Sequence, residues 1–182
     1  PFIGLIKQKL DVMPLDGATD YRLARLGRMA VYHTPVGPAS SQALAEAFHA
    51  LTLGAPGQTE QITVKGRVVQ VPRAAEGVAW FTFADLCDQP LGAGDYLAIA
   101  RRYHTVILEG IPEMGPESRD KAKRFVTLID ALYERKVNLI CSAVNRPELL
   151  YPMGDGAFEF QRTVSRLEEM QSAEYQTQPH LK

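Results

Sequence analysis

With 182 residues, 46% of them apolar and 23% charged, the chain has the composition of one globular domain, or one plus a short lobe. Collagen-like, wholly disordered and coiled-coil chains are excluded. Twenty Lys and Arg against twenty-one Asp and Glu leave a net charge of −1, so no overall field draws a polyanion and nucleic acid is not an expected partner. The apolar runs are far shorter than the roughly 18 residues of a membrane span, and no charged, apolar, small-residue leader opens the chain, so a soluble, cytoplasmic protein is expected. Cys87 and Cys141 are far apart and form no CxxC, which predicts two buried thiols in a reducing compartment and neither a disulfide framework nor a zinc site. The chain opens on Pro1-Phe2-Ile3, inside an apolar pattern and without Met, as expected of a piece of a longer protein.

The first stretch, Phe2, Ile3, Leu5, Ile6 and Leu10, has helical spacing that Pro14 and Gly17 end, and a polar, turn-rich passage with Asp20-Tyr21-Arg22 follows. Leu44, Ala47, Phe48 and Leu51 recur at three and four residues, predicting a helix between Pro38 and Gly54 capped by Ser40 or Ser41. From Gln61 the period becomes two: Ile62 and Val64, then Val69 and Val71, about Lys65-Gly66-Arg67, read as a β-hairpin. Val78 to Phe83 reads as a strand buried on both faces. A helix after Pro90 carries Tyr96, Leu97, Ile99, Ala100 and Tyr103, and Thr105 to Leu108 is a short strand ending on Glu109. Past the loop from Pro112 to Pro116, Ala122, Phe125, Val126, Ile129, Leu132 and Tyr133 mark the clearest amphipathic helix. Val137 to Ala143 is a buried strand closed by Pro147. A last helix bears Val164, Leu167 and Met170, and a polar, frayed tail is expected from Ser172. Strand and helix alternate from Val78 to Ala143, which predicts an α/β fold: a parallel sheet with right-handed crossover helices, plus an N-terminal helical segment and the hairpin. The division expected is an N-terminal helical or linker region over 1–57 and an α/β domain over 58–182.

Ligands of open parallel sheets sit beyond the carboxyl ends of the strands. That rule gathers Thr82 to Leu86, Glu109 to Met114 and Ser142 to Arg146 on one edge. In P-loop ATPases an apolar strand ending in an acid holds magnesium, and its neighbour ends in a polar residue that orients water. Val106-Ile107-Leu108-Glu109 and Ile140 to Asn145 have that shape, which makes Glu109 and Asn145 candidate nucleotide-site residues. The plainer readings are an acid where solvent begins and a turn residue before Arg146-Pro147. A P-loop itself needs G-x-x-x-x-G-K-[ST], and the chain contains no Gly-Lys dipeptide. Arg162 and Arg166 stand four apart on one helix face, where they can meet a carboxylate pair or a phosphate; ion pairs with Glu159, Glu168 or Glu169 are the alternative. Arg119, Lys121, Lys123 and Arg124 form a basic helix start, read as a solvated face or a contact for an acidic partner. His33, His49, His104 and His180 show no ligand spacing.

The run Gly77 to Cys87, then Pro90-Leu91-Gly92-Ala93-Gly94-Asp95-Tyr96, resembles the C-terminal half of the ZapE and Afg-like ATPases. The likeness continues through Arg119-Asp120, Arg124 to Glu134, Ser142-Ala143 and Phe158-Glu159-Phe160, and ends with Arg162 to Ser172 and Tyr175. Pro1-Phe2-Ile3 and Asp20-Tyr21-Arg22 look like the same family, while Trp80 departs from its usual small charged or polar choice. The resemblance implies an AAA-type P-loop fold whose P-loop and magnesium-binding acid lie before Pro1, and a second half that imitates the AAA core without a P-loop. It implies ATP and magnesium for the full-length protein and none for this chain alone, inactivity of the chain by itself, Arg162 or Arg166 serving the nucleotide site, and remodelling of a protein partner, in division machinery for the bacterial members, with a homo-oligomer possible. The competing reading is a non-catalytic interaction or oligomerisation module.

Overall fold

The computed structural model describes residues 17–182. The apolar helix expected at Phe2 to Leu10 lies outside them. Six strands form one sheet in the order β1-β6-β5-β4-β3-β2, mostly parallel. In chain order the elements are α1 (Gly17–Leu26), β1 (Tyr32–His33), α2 (Pro38–Leu51), β2 (Gln58–Val64), β3 (Arg67–Ala75), β4 (Val78–Thr82), α3 (Phe83–Cys87) and α4 (Ala93–Arg102). They continue with β5 (Thr105–Ile111), α5 (Arg119–Glu134), β6 (Asn138–Ala143), α6 (Ala157–Glu169) and α7 (Ala173–Gln176). Strands β4, β5, β6 and β1 pair in parallel, as the β-α-β-α-β spacing requires, and β2 and β3 add an antiparallel hairpin at one edge. Lys65 and Gly66, both at positive φ, make the hairpin turn where the sequence placed it.

Alternation along the strands splits the core in two. Val78, Ile107 and Ile140 face α1 and α2 through Leu26, Leu44, Ala47, Phe48 and Leu51. Ala79, Phe81, Val106, Leu108, Leu139 and Cys141 face the helices on the other side, meeting Ile99, Phe125, Leu128, Ile129 and Leu132. Phe125 is fully buried between Phe83, tilted against it with ring centroids 6.0 Å apart, and Phe160, stacked on it at 6.1 Å. Burying such a side chain contributes about 1.5–3 kcal/mol, so this one ring ties α3, α5 and α6 together.

Several local expectations are corrected. Asp20-Tyr21-Arg22 lies in helix α1, not in a turn-rich passage. Helix α2 starts at Pro38 with Gly37 as its cap; Ser40 stands in the first turn and its Oγ accepts from the Gly37 N–H at 2.9 Å, while Ser41 bonds elsewhere. Proline at the first helical position has no N–H to lose there, which moves the start three residues upstream. Strand β4 stops at Thr82, because the Thr82 hydroxyl accepts from the Asp85 N–H and the Asp85 carboxylate accepts from the Thr82 N–H, a reciprocal cap that turns Phe83 into a helix. The tail from Ser172 is ordered: Ser172 caps α7, and Tyr175, buried, donates to the carbonyls of Val137 at 2.8 Å and Leu132 at 3.3 Å. Strand β5 continues past Glu109 to Ile111.

The hairpin is also fastened to α4. Asp95, 1% exposed, accepts from the Gly92 N–H at 2.8 Å, and its two oxygens lie 2.9 and 2.8 Å from Arg67 Nη2. One buried carboxylate thus caps the helix and neutralises the guanidinium at the turn of the hairpin.

Candidate functional site

The carboxyl ends of β5 and β6 carry the acid and the polar residue singled out above. The register slips between Leu108 and Ile111 against Cys141 and Ala143, so β5 holds one extra residue. Gly110 takes that bulge at φ +80° and donates its N–H to Ser142 Oγ at 2.9 Å. Glu109 stands just before the bulge, on the α2 face. Its Oε1 accepts from Ser41 Oγ at 2.9 Å, and its Oε2 accepts from the Trp80 indole N–H at 3.1 Å. The acid therefore ties α2 to β4 and β5, and each oxygen already has a donor. The Trp80 indole reaches the carboxylate, and its ring packs 5.7 Å from Phe48 on α2.

Asn145 lies past the end of β6. Its carbonyl accepts from the Tyr32 hydroxyl at 2.6 Å, its Nδ2 donates to Glu113 Oε1 at 2.9 Å, and its Oδ1 accepts from the Arg146 N–H at 3.0 Å. These bonds close the turn and attach the β1 strand to the end of β6. Neither Glu109 nor Asn145 bonds to the other.

Arg162 and Arg166 share one partner. Arg162 Nη2 lies 3.0 Å from Asp130 Oδ2 and Arg166 Nη1 contacts Asp130 Oδ1, so the acid they meet comes from α5 and is none of Glu159, Glu168 or Glu169. Arg166, 20% exposed, also lies with its guanidinium 4.6 Å from the Tyr133 ring centroid, and the Tyr133 hydroxyl donates to Glu169 at 2.6 Å. Arg162 is 60% exposed and has this single ion pair. The arginines ride on the helix layer beside α5, whereas Glu109 faces α2 on the other side of the sheet. The sheet separates the two halves of the sequence-derived site.

The basic start of α5 is spread over different partners: Arg119 approaches Asp155 at 3.6 Å, Lys121 approaches Asp88 at 3.4 Å, and Arg124 Nη1 donates to the Cys87 carbonyl at 3.3 Å. With Tyr151 and Phe160 the first of these line an open cleft of about 530 Å³ between α5 and α6. Both cysteines are free and buried; burial pushes the Cys87 thiol up to about 12 and the Cys141 thiol higher still, so both stay protonated and unreactive. Among the described residues no group of three or more His, Cys, Asp or Glu side chains could hold a metal ion, and no helix is long and apolar enough to cross a membrane.

Ser41, Trp80 and Asp130 are the residues that periodicity and spacing missed. They act across 68, 29 and 32 to 36 positions of sequence, and no local pattern announces such a partner.

Comparison with known proteins places this architecture. Residues 1–179 match the family model for AFG1-like ATPase. The cell division protein ZapE of Escherichia coli is 34% identical over 181 residues, covering 100% of this chain and 48% of ZapE. Lactation elevated protein 1 homolog B of Danio rerio is 32% identical, covering 96% of this chain and 42% of that protein, and an uncharacterised protein of Schizosaccharomyces pombe, C115.02c, is 38% identical over 84% of this chain and 34% of its own length. The chain thus spans half or less of the curated relatives it matches, and no solved structure matches it. On the family match over nearly its whole length, the chain belongs to the AFG1-like ATPases.

Proposed function

We propose that this chain is the nucleotide-free half of its ATPase: an α/β unit that transmits hydrolysis carried out elsewhere in the protein to a protein partner. The observation that carries the reading is the state of Glu109, whose two oxygens are spent on Ser41 and Trp80. ATP and magnesium belong, on this reading, to the complete protein and are held outside residues 17–182. The likeness to a protein named for cell division supports a partner in such machinery for a bacterial protein of this family. It also fits a protein acting in the cytoplasm, alone or as an oligomer.

Within this reading the two arginines divide their work. Arg166, enclosed by Asp130 and Tyr133, holds α6 on α5, while Arg162, exposed and bound once, is free to leave Asp130 for a phosphate of a nucleotide held by another part of the protein or by another copy. Two guanidiniums on one carboxylate leave one positive charge over, which is what an incoming phosphate would meet. Steady-state ATP turnover of the complete protein tests this. Arg162→Ala is expected to lower turnover at least tenfold while the melting temperature falls by no more than about 4 °C, since phosphate-contacting arginines are worth roughly 10³–10⁵ in rate at their strongest. Normal turnover in Arg162→Ala would leave both arginines as scaffold.

A further inference from the structure

At the opposite, amino-terminal edge of the parallel strands a cleft of about 510 Å³ opens between α1, the end of α2 and the loops before β4 and β5. It is lined by Tyr21, Leu51, Leu53, Glu76 and His104, with Arg22 projecting from α1. Most of that wall is apolar. Arg22 Nε is buried there without a hydrogen-bond partner, and among the described residues no carboxylate reaches ion-pair distance of the guanidinium. Arg67, Arg73, Arg102 and Arg124, by contrast, each find an acid or a carbonyl. A partly buried cation with no partner costs stability, and a fold retains such a group where something else uses it.

The wall opposite Arg22 is fixed. His104 Nε2 meets the Glu76 carbonyl at 2.8 Å, an acceptor only, so this nitrogen carries the proton and Nδ1 accepts from the Thr105 hydroxyl at 2.8 Å. Burial first, and then the neighbouring Arg22 charge, hold the imidazole down at about 4, so it stays neutral at pH 7. Gly77 lets the ring sit this close: at φ +76°, a Cβ there would lie 2.6 Å from it. The cleft therefore presents one guanidinium, one neutral ring, Thr19 and several apolar side chains, with the Glu76 carboxylate at its exposed rim.

We propose that this cleft is a binding site for a small monocarboxylate with an apolar body, the carboxylate lying against Arg22 and the body against Leu51, Leu53 and Tyr21. A single guanidinium matches a single carboxylate bidentately. A phosphate dianion would lack a second cation and would meet Glu76. The volume suits a ligand of a few to a dozen or so heavy atoms.

The test uses the 182-residue chain labelled with ¹⁵N and titrated with hexanoate, with its neutral isostere hexanamide and with inorganic phosphate. Hexanoate is expected to move the Arg22 Nε–H and His104 Nε2–H resonances saturably, with hexanamide and phosphate at least about tenfold weaker, the worth of one charge-assisted contact. Arg22→Met is expected to weaken hexanoate by the same factor while melting no lower than the parent, because it removes an unpaired charge from an apolar wall; Arg22→Gln repeats the measurement with a polar side chain. Equal binding of hexanamide, tighter binding of phosphate, hexanoate binding that survives both substitutions, or a loss of stability in both variants would overturn the proposal.

Discussion

Replacing Glu109 separates a structural tie from a nucleotide ligand. In Glu109→Ala the indole N–H of Trp80 and the hydroxyl of Ser41 both lose their acceptor. A hydrogen bond to a charged group is worth about 1.5–3 kcal/mol when buried, and this carboxylate is only half-buried, so the two bonds together amount to roughly 2 kcal/mol. For a domain of this size that is a fall of about 4–8 °C in melting temperature. Glu109→Gln should cost under about 1 kcal/mol, because the amide oxygen can keep the Trp80 N–H while the NH₂ donates to a Ser41 hydroxyl that turns to accept. Trp80→Phe removes one donor, and the cycle with Glu109→Ala should return a coupling of about 1 kcal/mol. Urea unfolding of the five proteins, the Glu109→Ala/Trp80→Phe double variant included, followed by tryptophan fluorescence where Trp80 remains and by circular dichroism throughout, gives these values. A Glu109→Ala protein as stable as its parent, with no coupling to Trp80, would refute the assignment of Glu109 as the tie between α2 and the sheet.

Arg166→Ala should destabilise by about 1–2 kcal/mol, since Arg166 loses both Asp130 and the Tyr133 ring, whereas Arg162→Ala should cost under about 1 kcal/mol; chemical denaturation of each checks the order. Tyr175→Ala should cost about 3 kcal/mol, because the buried ring and two carbonyl contacts go together, while a tail that carried no structure would lose nothing measurable. His104, held at about 4 in the folded chain against 6.5 unfolded, binds fewer protons folded than unfolded, so its contribution is fully present above pH 6.5 and is lost as pH falls toward 4. The stability difference between the parent and His104→Gln should therefore shrink on the order of 2–3 kcal/mol from pH 7 to pH 4, and a difference independent of pH would contradict the buried neutral ring.

The sheet and its crossovers were legible because their signals are local. The apolar runs of β4, β5 and β6 and the three-and-four spacing of α5 belong to single elements, and the spacing between them leaves parallel pairing as the short solution. Where tertiary contacts decide, the pattern fell silent. Strand β1, two residues long, exists through its pairing with Cys141 and Ser142, and nothing in Tyr32-His33 marks it. The tail after Ser172 reads as polar, yet Tyr175 anchors it by reaching two carbonyls more than 35 positions upstream. At the candidate site, the strand-end positions of Glu109 and Asn145 could be read from the runs that precede them. What those side chains do could not, since Ser41, Trp80, Tyr32 and Glu113 reach them from other elements. The arginine pair was visible as an i, i+4 motif, and its partner Asp130 was hidden because it stands on a different helix.

The measurement that bears most directly on the chain as a nucleotide-free half of its ATPase is isothermal titration of the 182-residue chain with magnesium-ATP. The account predicts no binding in the micromolar range, for the parent and for Glu109→Ala alike. Micromolar, magnesium-dependent binding that Glu109→Ala or Asn145→Ala abolishes would contradict it and would place a nucleotide site at the carboxyl ends of β5 and β6.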